Sequence, residues 1–117
     1  MTRIRMTAGE TEIAATLDDT PAGRSFAAML PLDLEISDYH GIEKIADLPG
    51  KIDTSEAPRA YKPEAGDLTV YAPWGNLAIF YKPFSAAAGL VRLGAIDGAF
   101  DGLLKKGNYR MRIEAAQ

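Results

Sequence analysis

Gly66-Asp67-Leu68-Thr69-Val70-Tyr71-Ala72-Pro73-Trp74-Gly75-Asn76-Leu77-Ala78-Ile79-Phe80-Tyr81-Lys82-Pro83-Phe84 is the stretch on which the fold turns. Leu68 to Tyr71 and Leu77 to Tyr81 are short apolar runs rich in aromatic residues. The intervening Ala-Pro-Trp-Gly-Asn supplies the residues that let strands reverse. The spacing predicts a buried hairpin. The only Trp of the chain, two of its five Tyr and two of its four Phe fall here, and large rings bury more area than other side chains. The hairpin should therefore anchor the core. If Leu68, Val70 and Phe80 face inward, alternation turns Thr69, Tyr71, Ile79 and Tyr81 to the opposite face.

The flanking segments continue the β pattern. Residues 3 to 7 and 11 to 17 alternate apolar and polar around Ala8-Gly9-Glu10, which predicts a second hairpin. Asp18-Asp19-Thr20-Pro21 offers side-chain acceptors followed by a Pro at the first helical position, so a helix is expected from Pro21 to Leu30. The adjacent carboxylates of Asp18 and Asp19 are read as capping groups rather than a catalytic pair. Strands follow at Leu32 to Ile36 and Ile42 to Leu48. Residues 51 to 63 are rich in Pro and polar groups and predict a long loop with one short strand near Ala60-Tyr61. Leu90 to Ile96 and Asn108 to Glu114 complete the strands, with a second helix expected over Gly98 to Lys106. About eight strands and two short helices in 117 residues suggest a mainly β, closed eight-stranded barrel with helices plugging its ends, built as a single domain.

Composition narrows the function classes. A net charge of −3 argues against a nucleic-acid partner, which needs a basic surplus on one face. Arg3 and Arg5, and Arg110 and Arg112, do alternate along the terminal strands, but Glu10, Glu12 and Glu114 are placed to neutralise them. With no Cys there is no disulfide or thiolate chemistry, and no apolar run suggests a signal peptide or membrane span, so a cytoplasmic protein is expected. Gly-x-Gly-x-x-Gly and Gly-x-Ser-x-Gly motifs are absent, which leaves no cofactor to expect. Asp38, His40 and Glu43 lie close in sequence, yet their spacing matches no metal motif, and the single His reads as a turn residue beside Gly41.

A family resemblance enters through particular residues. Leu17-Asp18-Asp19-Thr20-Pro21-Ala22-Gly23-Arg24-Ser25-Phe26 resembles the acidic-x-x-Pro-x-x-x-x-Phe segment that opens the first helix of cyclophilins. Gly66-Asp67-Leu68-Thr69-Val70 and Ile79-Phe80-Tyr81 resemble their Gly-x-Leu-x-Met and Gln-Phe-Phe strands. The chain is most similar to the short bacterial and archaeal cyclophilin-like proteins, and that resemblance implies the eight-stranded cyclophilin barrel. It departs from true cyclophilins where their activity resides. Ile42-Glu43-Lys44-Ile45 stands in place of the Phe-His-Arg strand motif, and Ile79 in place of the Gln. Stabilising a twisted prolyl amide needs a placed donor. Only Lys44, Arg59 or Arg92 would remain to supply it.

The expected role is accordingly a binding module. An aromatic face made of Tyr71, Ile79 and Tyr81, with Tyr39, His40 and Trp74 near it, would hold a small apolar ligand or an extended peptide. The alternatives are a divergent prolyl isomerase and a homodimer surface made of the same patch.

Overall fold

Alternation along the strands closes a barrel. The computed structural model describes residues 1–116. β1 (Thr2–Ala8) and β2 (Thr11–Leu17) form the first hairpin, and a short helix, α1 (Pro21–Ala27), follows. Next come β3 (Leu32–Tyr39), β4 (Glu43–Asp47), β5 (Ala60–Tyr61), β6 (Asp67–Tyr71), β7 (Asn76–Phe80), β8 (Ala87–Ala88), β9 (Leu90–Ile96) and β10 (Tyr109–Ala115). Eight of these close in the order β1-β10-β3-β4-β7-β6-β9-β2, each antiparallel to its neighbours, while β5 and β8 pair as a separate two-stranded ribbon. Full closure leaves none of the eight with a free edge.

Two apolar clusters hold this arrangement. Inside the barrel lie the inward residues of every long strand, among them Ile4, Met6, Leu17, Ile36, Leu68, Val70, Leu77, Ile79, Leu93, Met111 and Ile113. Phe26 of α1 reaches this core from the end of β2, and Leu103 reaches it from the opposite end, where Gly102 lies against Thr11. Outside the barrel wall, Ala78, Phe80 and Leu90 form a second cluster, with Tyr61, Tyr71, Ala87, Ile42 and Ile45 packed on it. Close approach of β2 and β9 requires Gly94, because a Cβ there would stand 2.1 Å from the Thr16 carbonyl oxygen.

The central hairpin differs from expectation by one residue. Tyr71 pairs with Asn76 and Val70 with Leu77, so the loop is the four residues 72–75 and Asn76 belongs to the strand. A one-residue change in register moves every side chain to the other face. Ile79, expected outside, is fully buried beside Leu68 in the barrel, and Phe80, expected inside, faces outward into the second cluster.

Both helices are shorter than the pattern suggested. Thr20 caps α1, its hydroxyl accepting the Gly23 N–H at 3.0 Å, while Asp18 is used elsewhere. Beyond Ala28 the amides of Met29 and Leu30 bond three residues back, which tightens the turn before Pro31. The second predicted helix is one 3-10 turn at Asp101–Leu103. Three Gly between 98 and 107 weaken helix formation there, and Leu104 is half exposed. No helix among the described residues is long and apolar enough to cross a membrane.

Candidate functional site

Barrel strands expose alternate residues, and on β4, β7 and β9 those residues outline a cleft. Ile45, Phe80 and Leu90 form its apolar floor, and Glu43 and Asn76 stand towards opposite ends of it. The walls come from turns. Trp74 rises from the β6–β7 loop next to Tyr71, and Tyr39 and His40 come from the β3–β4 turn. Phe84 and Ala87, in the segment around β8, close the far side. The cleft has a volume of about 370 Å³ and is mostly apolar.

The rings support one another. Trp74 meets Tyr71 edge to face at 5.3 Å between centroids and Tyr39 at 6.1 Å, and His40 sits edge-on to Tyr39 at 4.2 Å. Phe84 stacks over Phe80 at 6.4 Å. Such arrangements are favourable for aromatic pairs. His40 adopts a left-handed φ of 56° and Gly41 one of 66°, forming a tight turn closed by the Ile42 amide on the Tyr39 carbonyl. Asp38 accepts the Gly41 amide at 2.9 Å and fixes this turn beside the cleft. Trp74 is 63% exposed, so it forms a rim rather than part of the core.

Polar groups in the cleft are few. Glu43 is half-buried, and burial first, then the nearby Asp38 carboxylate, pushes its carboxyl above the usual range. Asn76 donates from Nδ2 to the Leu77 carbonyl at 3.2 Å, and its buried Oδ1 finds no donor.

Of the residues expected to form the site, Tyr39, His40, Tyr71 and Trp74 are brought together here. Ile79 is not, for the reason of register given above. Tyr81 lies outside the cleft at one end of the barrel, where its hydroxyl donates to Asp38 and its ring lies 5.6 Å from Lys44 Nζ. Burial and that acceptor push the Tyr81 hydroxyl up to about 12, and the same hydrogen bond lowers Asp38. Phe80, Phe84 and Asn76 belong to the cleft without having been expected there. For Phe80 and Asn76 the outcome turned on a loop of four residues rather than five, which the sequence leaves open.

Two of the three cations considered for amide chemistry are otherwise engaged. Lys44 pairs across the wall with Ile79, so it points inward, 4% exposed. Its Nζ donates to the Lys105 carbonyl at 3.1 Å and lies 3.4 Å from Asp38. Arg92 lines a separate cleft of about 260 Å³ beside α1, where it bonds Asp18 at 2.8 Å and buried Asp67 at 3.1 Å. Hydrogen bonding to Asp18, with weaker help from Tyr61, raises its already high pKa further. Arg59 is exposed. The terminal-strand arginines Arg5 and Arg112 are likewise paired, with Glu114 and Asp33.

The sequence profile of the cyclophilin-like family matches residues 6–114. The chain belongs to the cyclophilin-like family. Among solved structures, this cyclophilin-like chain is similar to the solution structure of a hypothetical protein from Archaeoglobus fulgidus. The TM-score is 0.74 at 16% identity, over 98% of this chain and 95% of that one. A likeness at that identity speaks for the shared barrel. No curated protein matches the sequence significantly.

Proposed function

We propose that this cyclophilin-like protein is a binding module whose outer cleft, between Tyr39, Tyr71, Trp74 and Phe80, holds a small ligand with an apolar body. The observation that carries the reading is the mutually braced ring system around an apolar floor, in a volume of about 370 Å³. Ligand sites are concave and mostly apolar, with a small number of placed polar groups, and this cleft has that character. The binding reading is favoured over a prolyl isomerase because Lys44 and Arg92 already serve as structural partners of Asp38, Asp18 and Asp67.

Trp74, the single Trp, is a built-in reporter. A fragment screen followed by Trp fluorescence and amide chemical shifts should produce changes at Trp74, Tyr71 and Phe80. Trp74→Ala should abolish binding and leave stability within about 0.5 kcal/mol, as expected for an exposed side chain. Sedimentation at increasing concentration accompanies the screen. Self-association that hides Trp74 would replace the ligand by a second copy and defeat the proposal.

A further inference from the structure

Among the described residues, four side-chain carboxylates are withdrawn from full exposure: Asp18, Glu43, Asp67 and Glu114. Three of them are ion-paired, Asp18 and Asp67 with Arg92 and Glu114 with Arg5. Among the described residues Glu43 has no cation within ion-pair distance. It faces the cleft, next to Phe80 on one side and Tyr39 on the other. Among the described residues no Lys or Arg lines that cleft. Aromatic faces carry negative potential, so the rings reinforce the carboxylate instead of neutralising it.

The second polar group agrees in kind. Asn76 is 5% exposed, one of its two amide hydrogens goes to the Leu77 carbonyl, and among the described residues its Oδ1 meets no donor. An unmatched buried acceptor is destabilising, so a donor brought to it by a rearranged side chain would be favourable. Asn76 and Phe80, the cross-strand partner of Glu43, are four residues apart on β7, about 13 Å at strand rise. The acceptors therefore sit towards separate ends of an apolar floor, with Ile45 and Ala78 between them.

Building on the binding reading above, we infer that the cleft selects an organic ammonium ion with an aromatic or alkyl body, the charged N–H group directed to Glu43 and the apolar body lying against Phe80 and Ile45. Hydrogen-bond donors are accepted and carboxylates are rejected. The desolvation that disfavours the empty Glu43 carboxylate is relieved when a cation shares its site.

The test uses phenethylammonium and 3-phenylpropionate, two ligands of matched shape and opposite charge, titrated at neutral pH and 150 mM salt. Amide shifts and Trp74 fluorescence are followed throughout. Phenethylammonium should bind about tenfold more tightly, and Glu43→Gln should bring the two within about threefold of each other. Asp47→Asn, an exposed acid on the same strand but outside the cleft, should leave the preference unchanged, which separates a local contact from the overall negative charge. Equal binding of the two ligands, or a preference that survives Glu43→Gln or disappears in Asp47→Asn, overturns the ammonium inference and leaves the binding reading standing. Absence of any response to either ligand at the cleft residues overturns both.

Discussion

Replacing Arg92 by Met tests whether this arginine is structural. The substitution keeps most of the side-chain stem against the barrel and removes the guanidinium. Asp67, whose side chain is 5% exposed, would then retain only the Tyr61 hydroxyl at 2.6 Å and the Glu64 amide at 2.9 Å as donors. Stripping the partner from a fully buried charge costs about 3–5 kcal/mol. The two remaining donors, and an Arg92 side chain that is 35% exposed, reduce this to about 2–3 kcal/mol, and the partly exposed Asp18 contact adds at most about 1 kcal/mol. With a urea dependence of about 1.5 kcal/mol per molar, the midpoint should fall by about 1.3–2.7 M. Adding Asp67→Asn should restore about half of that loss, because the orphaned charge is what makes Arg92→Met severe. A midpoint shift below about 0.3 M would refute the reasoning, as would a double variant no more stable than Arg92→Met alone.

Other perturbations probe the barrel and the cleft. Gly94→Ala places a Cβ 2.1 Å from the Thr16 carbonyl oxygen and should cost about 3 kcal/mol or more, read as a urea midpoint or as loss of soluble protein. Tyr81→Phe removes the donor that lowers Asp38 and should cost about 0.5–1 kcal/mol at neutral pH, allowing for the exposure of Asp38. Asp38 is depressed in the fold and Tyr81 is raised. The gap between wild type and Tyr81→Phe should therefore be widest from about pH 4 to 10, closing in acid as Asp38 protonates and in base towards the Tyr81 value of about 12. Glu43 is raised, so its contribution to stability is present below the unfolded carboxyl range and lost as pH rises through the folded value. Glu43→Gln should be more stable than wild type at pH 7 and equal to it below about pH 4, measured by urea titration at both.

How much of this was legible in the sequence depended on whether a feature is local. The alternation of Ile13, Ala15 and Leu17, the Thr20-Pro21 helix start and the short strand at Ala60-Tyr61 are all written in neighbouring residues, and the eight-stranded barrel follows from their sum. The facing of Ile79 and Phe80 is not local. It depends on whether Asn76 closes the turn or opens β7, and Asn is a natural turn residue. Reading it as turn makes the loop five residues long and sends Phe80 inward. Pairing it with Tyr71 makes the loop four and sends Phe80 out. Tyr39, His40 and Trp74 could be placed near the site because they sit in or beside turns, where rings stay accessible. Glu43 was recognisable only as a member of an unconvincing metal set, since its outward direction depends on the β4–β7 register.

That register also explains why one wall of the barrel carries the cleft while its inner side stays closed. On β4 and β7 the inward residues Lys44, Ala46, Leu77 and Ile79 belong to a filled interior, and Lys44 is tied to Asp38 and the Lys105 carbonyl. The outward residues have no second sheet to cover them. The β5–β8 ribbon reaches only part of that face, bringing Tyr61 and Ala87 onto the second cluster. The part it leaves open is the cleft, floored by Ile45, Phe80 and Leu90 and walled by Trp74 and His40 from the turns. For stability alone an uncharged side chain at position 43 would remove a cost, since burial and the Asp38 carboxylate both disfavour the Glu43 charge.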